Sequence, residues 1–336
     1  MGYCLTYARM DEILASLAGQ YRVFAPKSSA RNKLVRYGEI RSAAEVVYRR
    51  QSDFSPKEVL YPVSRAMFFF RDGQVEEAEE ADGRDILLFL RACDIHAIER
   101  LDKILLANGG LSDSYYKKAR EKVHFVLMEC TASFEHCFCA SLGTGAADNY
   151  EMAVRFEEDR LLVETKSDVL SACFASETPE DYSPVPVAQN QKKLRIPEIC
   201  EDKLQELAEL ELWEKFNDKC IACGGCNMVC GGCSCFDTVD VRYSEGSNDG
   251  ERRRVWSGCM LEDFTRTAGG AVARKTKGEN MRFKVLHKFY DYRKRFGSGD
   301  MCVGCGRCDM RCPRNISFFD TVCEVHDALK GGEDCD

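Results

Sequence analysis

The sequence predicts an α+β chain: a mixed α/β half followed by a helical, cysteine-rich half. Three observations carry that prediction. Short apolar segments rich in strand formers recur through the first 180 residues, and one pair of them flanks a helical pattern. A polar, proline-bearing stretch follows at 176–197. Beyond it lie thirteen of the twenty cysteines, from Cys220 to Cys335, many of them two or three residues apart. The length of 336 residues suffices for two domains with cores of their own.

The strand-like segments are 59–63, 66–70, 86–90 and 123–128. Between the last two, Ile95, Ile98, Leu101, Leu105 and Leu106 recur at helical spacing, so 86–128 reads as a strand–helix–strand unit. Residues 152–156 and 161–165 flank a charged turn and read as a hairpin. These elements predict a mixed α/β domain over 1–180 and a linker over 181–200. A cysteine-rich helical domain follows over 201–330, with an acidic tail over 331–336. Within the second domain, helices are expected at 202–216 and 281–296.

Composition excludes several classes. No apolar run approaches the roughly 18 residues of a membrane span, and the start lacks the basic and apolar pattern of a secretory signal. Met1-Gly2-Tyr3-Cys4-Leu5-Thr6 fits the degenerate myristoylation pattern only formally. Large size and clustered thiols point to a reducing cytoplasm and to metal, not to a secreted disulfide framework.

Two cysteine runs carry the chemistry. Cys220, Cys223, Cys226 and Cys230 repeat the C-x2-C-x2-C-x3-C spacing that recurs at Cys302, Cys305, Cys308 and Cys312, the last followed by Pro313. This is the run of two-cluster ferredoxins, in which three cysteines wrap one [4Fe–4S] cluster and the fourth reaches the other. Cluster one is therefore assigned to Cys220, Cys223, Cys226 and Cys312, and cluster two to Cys302, Cys305, Cys308 and Cys230. Gly224, Gly225, Gly304 and Gly306 let the backbone approach the inorganic sulfurs. A zinc site pairs two separated knuckles and would leave the third cysteine of each run unused. The second half thus reads as a ferredoxin-type domain. Seventy-one residues separate Cys230 from Cys302, which favours an arrangement with helices flanking the cluster loops.

Residues 251–296 hold thirteen Lys or Arg against five acids, in a chain of net charge −8. Three readings stand: a solvated helical face, a nucleic-acid patch, or cations that offset thiolate-bound clusters and steer an acidic redox partner. Cys233, Cys235 and Cys259 lie nearby; the crowding with Cys230 could offer alternative ligands, but beside two complete clusters they read as buried free thiols.

In the first half, Cys93 follows segment 86–90 and Cys130 follows segment 123–128, with Cys137 and Cys139 shortly after. If those strands are parallel neighbours, Cys93 and Cys130 lie at the carboxyl edge where open α/β sheets place ligands, and the four thiols could converge there. They could hold a third cluster, bind a structural zinc, or pack as core thiols. His96 and His136 lie close enough to tune such a site.

With these motifs in view, the chain resembles the A subunits of anaerobic sulfite reductases and is similar to the beta subunits of cytoplasmic sulfhydrogenases. The resemblance spans nearly the whole chain. It rests on 21–26, Arg91-Ala92-Cys93-Asp94, 133–139, Gly143-Thr144, 250–254 with Trp256, Cys259-Met260, Leu286-His287-Lys288 and 301–313. The chain departs at Cys230-Gly231-Gly232-Cys233, where relatives carry Cys-Pro-Thr-Cys, and this departure spares every proposed ligand. The resemblance implies an electron-transfer subunit without catalytic residues of its own. It would relay electrons from an NADH-oxidising FAD flavoprotein subunit to a sirohaem subunit that reduces sulfite to sulfide. It also favours the third cluster on Cys93, Cys130, Cys137 and Cys139. The alternatives are a subunit of a hydrogenase or polysulfide reductase complex, or an iron–sulfur redox sensor. A sensor would want a nucleic-acid module, and the sequence offers no helix-turn-helix pattern and no nucleotide fingerprint.

Overall fold

The structure, a computed structural model, describes residues 2–78 and 82–330. The acidic tail expected at 331–336, with Cys335, lies outside the described residues. The strands are β1 (Gly2–Leu5), β2 (Tyr21–Ser28), β3 (Val35–Glu39), β4 (Ser64–Arg71), β5 (Gln74–Glu77), β6 (Asp85–Leu90), β7 (Val123–Met128), β8 (Met152–Phe156), β9 (Leu161–Thr165), β10 (Pro179–Glu180), β11 (Phe236–Arg242) and β12 (Gly250–Trp256). Eight of them form one sheet in the order β10-β1-β9-β8-β7-β6-β2-β3.

The centre of that sheet is parallel: β2 with β6, β6 with β7, and β7 with β8. β6 and β7 pair in register from Ile86 opposite Val123 to Leu90 opposite Leu127. Parallel strands need a crossover, supplied here by the Ala92–Leu106 helix. Alternation puts Leu87, Phe89, Val126 and Met128 in one core and Leu88, Leu90, Phe125 and Leu127 in another. The helix lays Ile95, Ile98 and Leu101 into the second core. Each such side chain contributes about 1.5–3 kcal/mol by leaving water. The expected hairpin is present as antiparallel β8 and β9.

Two expectations change. Residues 59–63 do not form a strand: Lys57–Leu60 is one helical turn, with Leu60 and Tyr61 buried in the second core. A short apolar run is ambiguous between the two states, and here packing chooses the helix. Residues 202–216 form a broken series of turns, Leu204–Glu209, Glu211–Trp213 and Lys215–Lys219, not one helix.

The long insert between the cysteine runs contributes β11 and β12 as well as helix. β12 pairs antiparallel with β4, from Gly250 opposite Phe70 to Val255 opposite Ser64, with a bulge at Arg252/Arg253. The second sheet, β11-β12-β4-β5, therefore joins strands from both halves of the sequence. The helical part of the insert starts at Lys277 on a Thr276/Glu279 capping box and runs to Phe296, through a π-helical stretch at His287–Asp291. Its buried face, with Met281, Val285 and Phe289, packs on Phe318, Val322 and Val325 of the Phe318–Leu329 helix in a third core beside the cysteine runs.

Candidate iron–sulfur sites

The two cysteine runs fold alike. Each places a left-handed glycine, Gly224 at φ 66° or Gly306 at φ 71°, directly before a one-turn helix, Gly225–Met228 or Arg307–Met310. Cys220, Cys223, Cys226 and Cys312 line one cavity, together with Cys308 and Lys284. Cys220 feels Cys226, Cys223 and Cys312 as electrostatic neighbours. Cys302 has Cys305 and Cys230 beside it, and Cys308 has Cys305 and Cys302. The fourth cysteine of each run thus lies beside the other run.

The four N-terminal thiols also come together. Because β6 and β7 are parallel neighbours, Cys93 and Cys130 leave the sheet at the same edge. Cys93, Cys130, Cys137 and Cys139 line one small cavity with Gln51, Thr144 and Asn190. Asn190 holds the loop in place: its Oδ1 accepts from Ala140 N at 2.7 Å, and its Nδ2 faces Cys139 Sγ at 3.6 Å. Of the two histidines expected nearby, His96 turns away to Glu99 and the Ala146 carbonyl, whereas His136 has its Nδ1 buried without a hydrogen bond.

This N-terminal site is pressed against the second cysteine run. Phe138 N donates to Gly304 O at 2.8 Å, Thr144 Oγ1 to Val303 O at 2.7 Å, and Gln51 Nε2 to Cys305 O at 2.6 Å. A Cβ on Gly304 would stand 2.7 Å from Cys139 Cα, and one on Gly306 would stand 2.1 Å from His136 O. Cys93, Cys139 and Cys305 share a small apolar cluster with Ala97 and Val303. The first and second halves therefore meet thiol to thiol.

Buried cations accompany the sulfurs. Arg307, 1% exposed, grips Asp94 through Nη1 at 2.5 Å and Nη2 at 2.9 Å, and neighbours both Cys305 and Cys93. Arg91 Nη1 lies 3.1 Å from Cys130 Sγ. On the insert helix, Lys284 and Lys288 are one turn apart and both buried. Lys284 sits against Cys226 and Cys308; Lys288 Nζ is 3.3 Å from Cys230 Sγ and 3.8 Å from Cys233 Sγ. Burial pulls both ammonium groups down, but the adjacent sulfurs outweigh it and hold them above the usual lysine range. The basic segment is thus divided. Its inward lysines face thiols, while Arg252, Arg266 and Lys294 make exposed ion pairs with Asp240, Asp263 and Glu201. Arg91, Lys288 and Arg307 entered the sequence reading only within the segments of resemblance, and Lys284 and Asn190 were not singled out; the i, i+4 lysine pair was the available signal.

The donor set suits clusters. Burial pushes Cys137 and Cys302 up to about 12, so such thiols ionise readily only when a metal replaces the proton. Among the described residues, no three His, Cys, Asp or Glu converge on the scale of one metal ion. The Cys220 set and the N-terminal set line cavities, and Gly304 and Gly306 leave no room for a Cβ. All nineteen cysteines of the described residues are free.

Residues 219–316 match the family model described as a 4Fe-4S dicluster domain. Over 326 residues the chain is 30% identical to sulfhydrogenase 2 subunit beta of Pyrococcus furiosus, an alignment covering 92% of this chain and 93% of that protein. The chain belongs to the sulfhydrogenase beta-subunit family. It is an iron–sulfur electron-transfer protein of the oxidoreductase class, with a [4Fe–4S] dicluster domain in its C-terminal half. No helix among the described residues is long and apolar enough to cross a membrane.

Proposed function

We propose that this chain is the relay subunit of a multi-subunit oxidoreductase complex, passing single electrons through three [4Fe–4S] clusters. Cluster one is held by Cys220, Cys223, Cys226 and Cys312, cluster two by Cys302, Cys305, Cys308 and Cys230, and cluster three by Cys93, Cys130, Cys137 and Cys139. The observation that carries the reading is the close packing of the Cys137–Cys139 loop on Gly304 and Gly306 of the second run. Such contact gives three centres in series with cluster two in the middle. The relay has no bond-making chemistry of its own; its residues hold sulfur-ligated iron, exclude water and fix charge around it.

Electrons enter from an NADH-oxidising flavoprotein subunit and leave to a catalytic subunit. The whole-chain similarity to a sulfhydrogenase subunit favours a hydrogenase-type catalytic partner. The segments shared with anaerobic sulfite reductase A subunits favour a sirohaem partner that reduces sulfite to sulfide. The native complex, purified anaerobically and assayed for nickel and for sirohaem absorption, decides between them: nickel with hydrogen evolution selects the first, sirohaem with NADH-dependent sulfide release the second. The relay itself is tested by iron content. A Cys93→Ser plus Cys137→Ser variant should lose about four irons and about four acid-labile sulfides per chain. Unchanged iron would confine the relay to the dicluster domain.

A further inference from the structure

Three cysteines outside these twelve converge on one place. Cys235 immediately precedes β11 and Cys259 lies three residues after β12. Phe236 pairs with Trp256, and Ser257 N donates to Cys235 O at 3.0 Å, so the base of the hairpin brings the two thiols together. Cys235 and Cys259 are electrostatic neighbours. Cys233 joins them through Asn227, whose Nδ2 lies 3.6 Å from Cys233 Sγ and 3.3 Å from Cys259 Sγ. Asn227 is 1% exposed, and its Oδ1 accepts from Met260 N, which fixes the amide with its donors towards sulfur. Gly258 is needed for this arrangement, since a Cβ there would stand 2.7 Å from the Asn227 side chain.

Two buried ammonium groups complete the surroundings. Lys57 Nζ donates to Cys233 O at 2.8 Å and stacks over Trp256 at 3.8 Å, close to Cys233, Cys230 and Cys235. Lys288 Nζ reaches Cys230 and Cys233 from the other side. Neither makes a hydrogen bond to a carboxylate among the described residues. Neutral thiols are weak acceptors for buried donors such as the Asn227 amide and Lys288 Nζ. Thiolates bound to iron carry charge and are stronger ones. The Asn227 amide faces two of the three sulfurs and Lys288 Nζ reaches the Cys233 sulfur, which is the donor pattern of an anionic sulfur-ligated centre.

We propose that Cys233, Cys235 and Cys259 hold a further iron–sulfur cluster. Cys230 stays with cluster two, so one position of the additional cluster is not held by a cysteine of this set. The site lies at the seam of the molecule, where Lys57 and Tyr61 of the first half clamp the Cys233–Ser234 backbone. This inference rests on the reading of the chain as an iron–sulfur protein, but not on the N-terminal cluster.

The test is iron and acid-labile sulfide per chain in the full-length, anaerobically purified protein, with EPR during reductive titration. A Cys235→Ser plus Cys259→Ser variant should lose about four irons and about four sulfides while the signals of the dicluster domain remain. Unchanged iron in a folded variant overturns the proposal. Should that variant fail to fold, the Cys93→Ser plus Cys137→Ser variant supplies the second reading. About twelve irons remaining there support a cluster on Cys233, Cys235 and Cys259, and about eight remaining overturn it. Failure of the N-terminal cluster would instead show as no iron lost between wild type and that second variant.

Discussion

The C-terminal cysteine runs and the N-terminal thiol pocket build similar sites by opposite routes. In the runs, three thiols come from one loop, and a left-handed glycine with a one-turn helix sets their spacing. In the pocket, the thiols come from separate loops, and only the parallel pairing of β6 and β7 brings Cys93 and Cys130 to one edge. The charge balance differs as well. The runs rest on lysines of a single helix, Lys284 and Lys288, whereas the pocket is flanked by Arg91 and by Arg307, whose charge is already shared with Asp94. A loop-encoded site depends on local backbone geometry; a fold-encoded site depends on the whole sheet and on what is packed against it.

The contact between the two is the first place to break that comparison. Gly306→Val should cost about 3–5 kcal/mol, because it adds a side chain both at positive φ and into the His136 carbonyl. Iron should fall in both regions, read by metal analysis together with thermal unfolding. Gly225→Ala, whose Cβ would meet only Cys223 Sγ at 3.6 Å, should leave both intact. Next is the buried ion pair. Asp94→Ala strands Arg307 and should cost about 3–5 kcal/mol in denaturant unfolding of the iron-stripped protein. The loss should be smaller in the iron-loaded protein, where thiolates at Cys305 and Cys93 also face the guanidinium. Equal losses in both would show that Arg307 serves only the ion pair.

Smaller effects separate the two sites electronically. Lys288→Met removes a positive charge beside Cys230 and should lower the cluster-two potential by about 60 mV or more, a tenfold shift in a one-electron equilibrium. Lys284→Met should act on clusters one and two, since Lys284 touches Cys226 and Cys308. Neither should move an N-terminal signal. EPR-monitored redox titration reads all three. Coincident shifts in every signal would make the lysines props of the fold and not local charges.

How much of this was legible in the sequence follows the same division. The position of Cys312 and Cys230 beside the opposite runs could be read from spacing, because the motif is local. The meeting of Cys93 with Cys130 could be read only conditionally, because it needed two strands to be parallel neighbours. The β11–β12 hairpin was hidden inside an insert that reads as helical, and its pairing with β4 is a contact across some 180 positions of chain. The run at 59–63 misled for the opposite reason: four apolar residues fit a strand or a helical turn equally well, and packing of Leu60 and Tyr61 decided it. Lys57, Arg307 and Asn227 carry no pattern of their own, so only the fold reveals what they face.

The smallest expected effect concerns the segment expected to be a linker. Residues 181–200 lack helix and strand, with only a bend at 191–192, yet they are bound closely to the first half. Tyr182 OH donates to Glu129 Oε2 at 2.7 Å, Leu194 N to Ser141 Oγ at 3.0 Å, and Asn190 spans Ala140 N, Ser133 Oγ and Cys139 Sγ. A passive connector would leave its polar side chains in water, whereas Asn190 is buried against the thiol pocket. Asn190→Ala should therefore cost about 1–2 kcal/mol, since it leaves the Ala140 N–H without its partner. With the proposed cluster in the pocket, it should also change the EPR line shape or potential of that centre while the dicluster signals stay fixed, because a hydrogen bond to a ligand sulfur tunes the iron it holds. If Asn190→Ala costs stability but moves no signal, the segment is a strap that closes the pocket without touching its electronics.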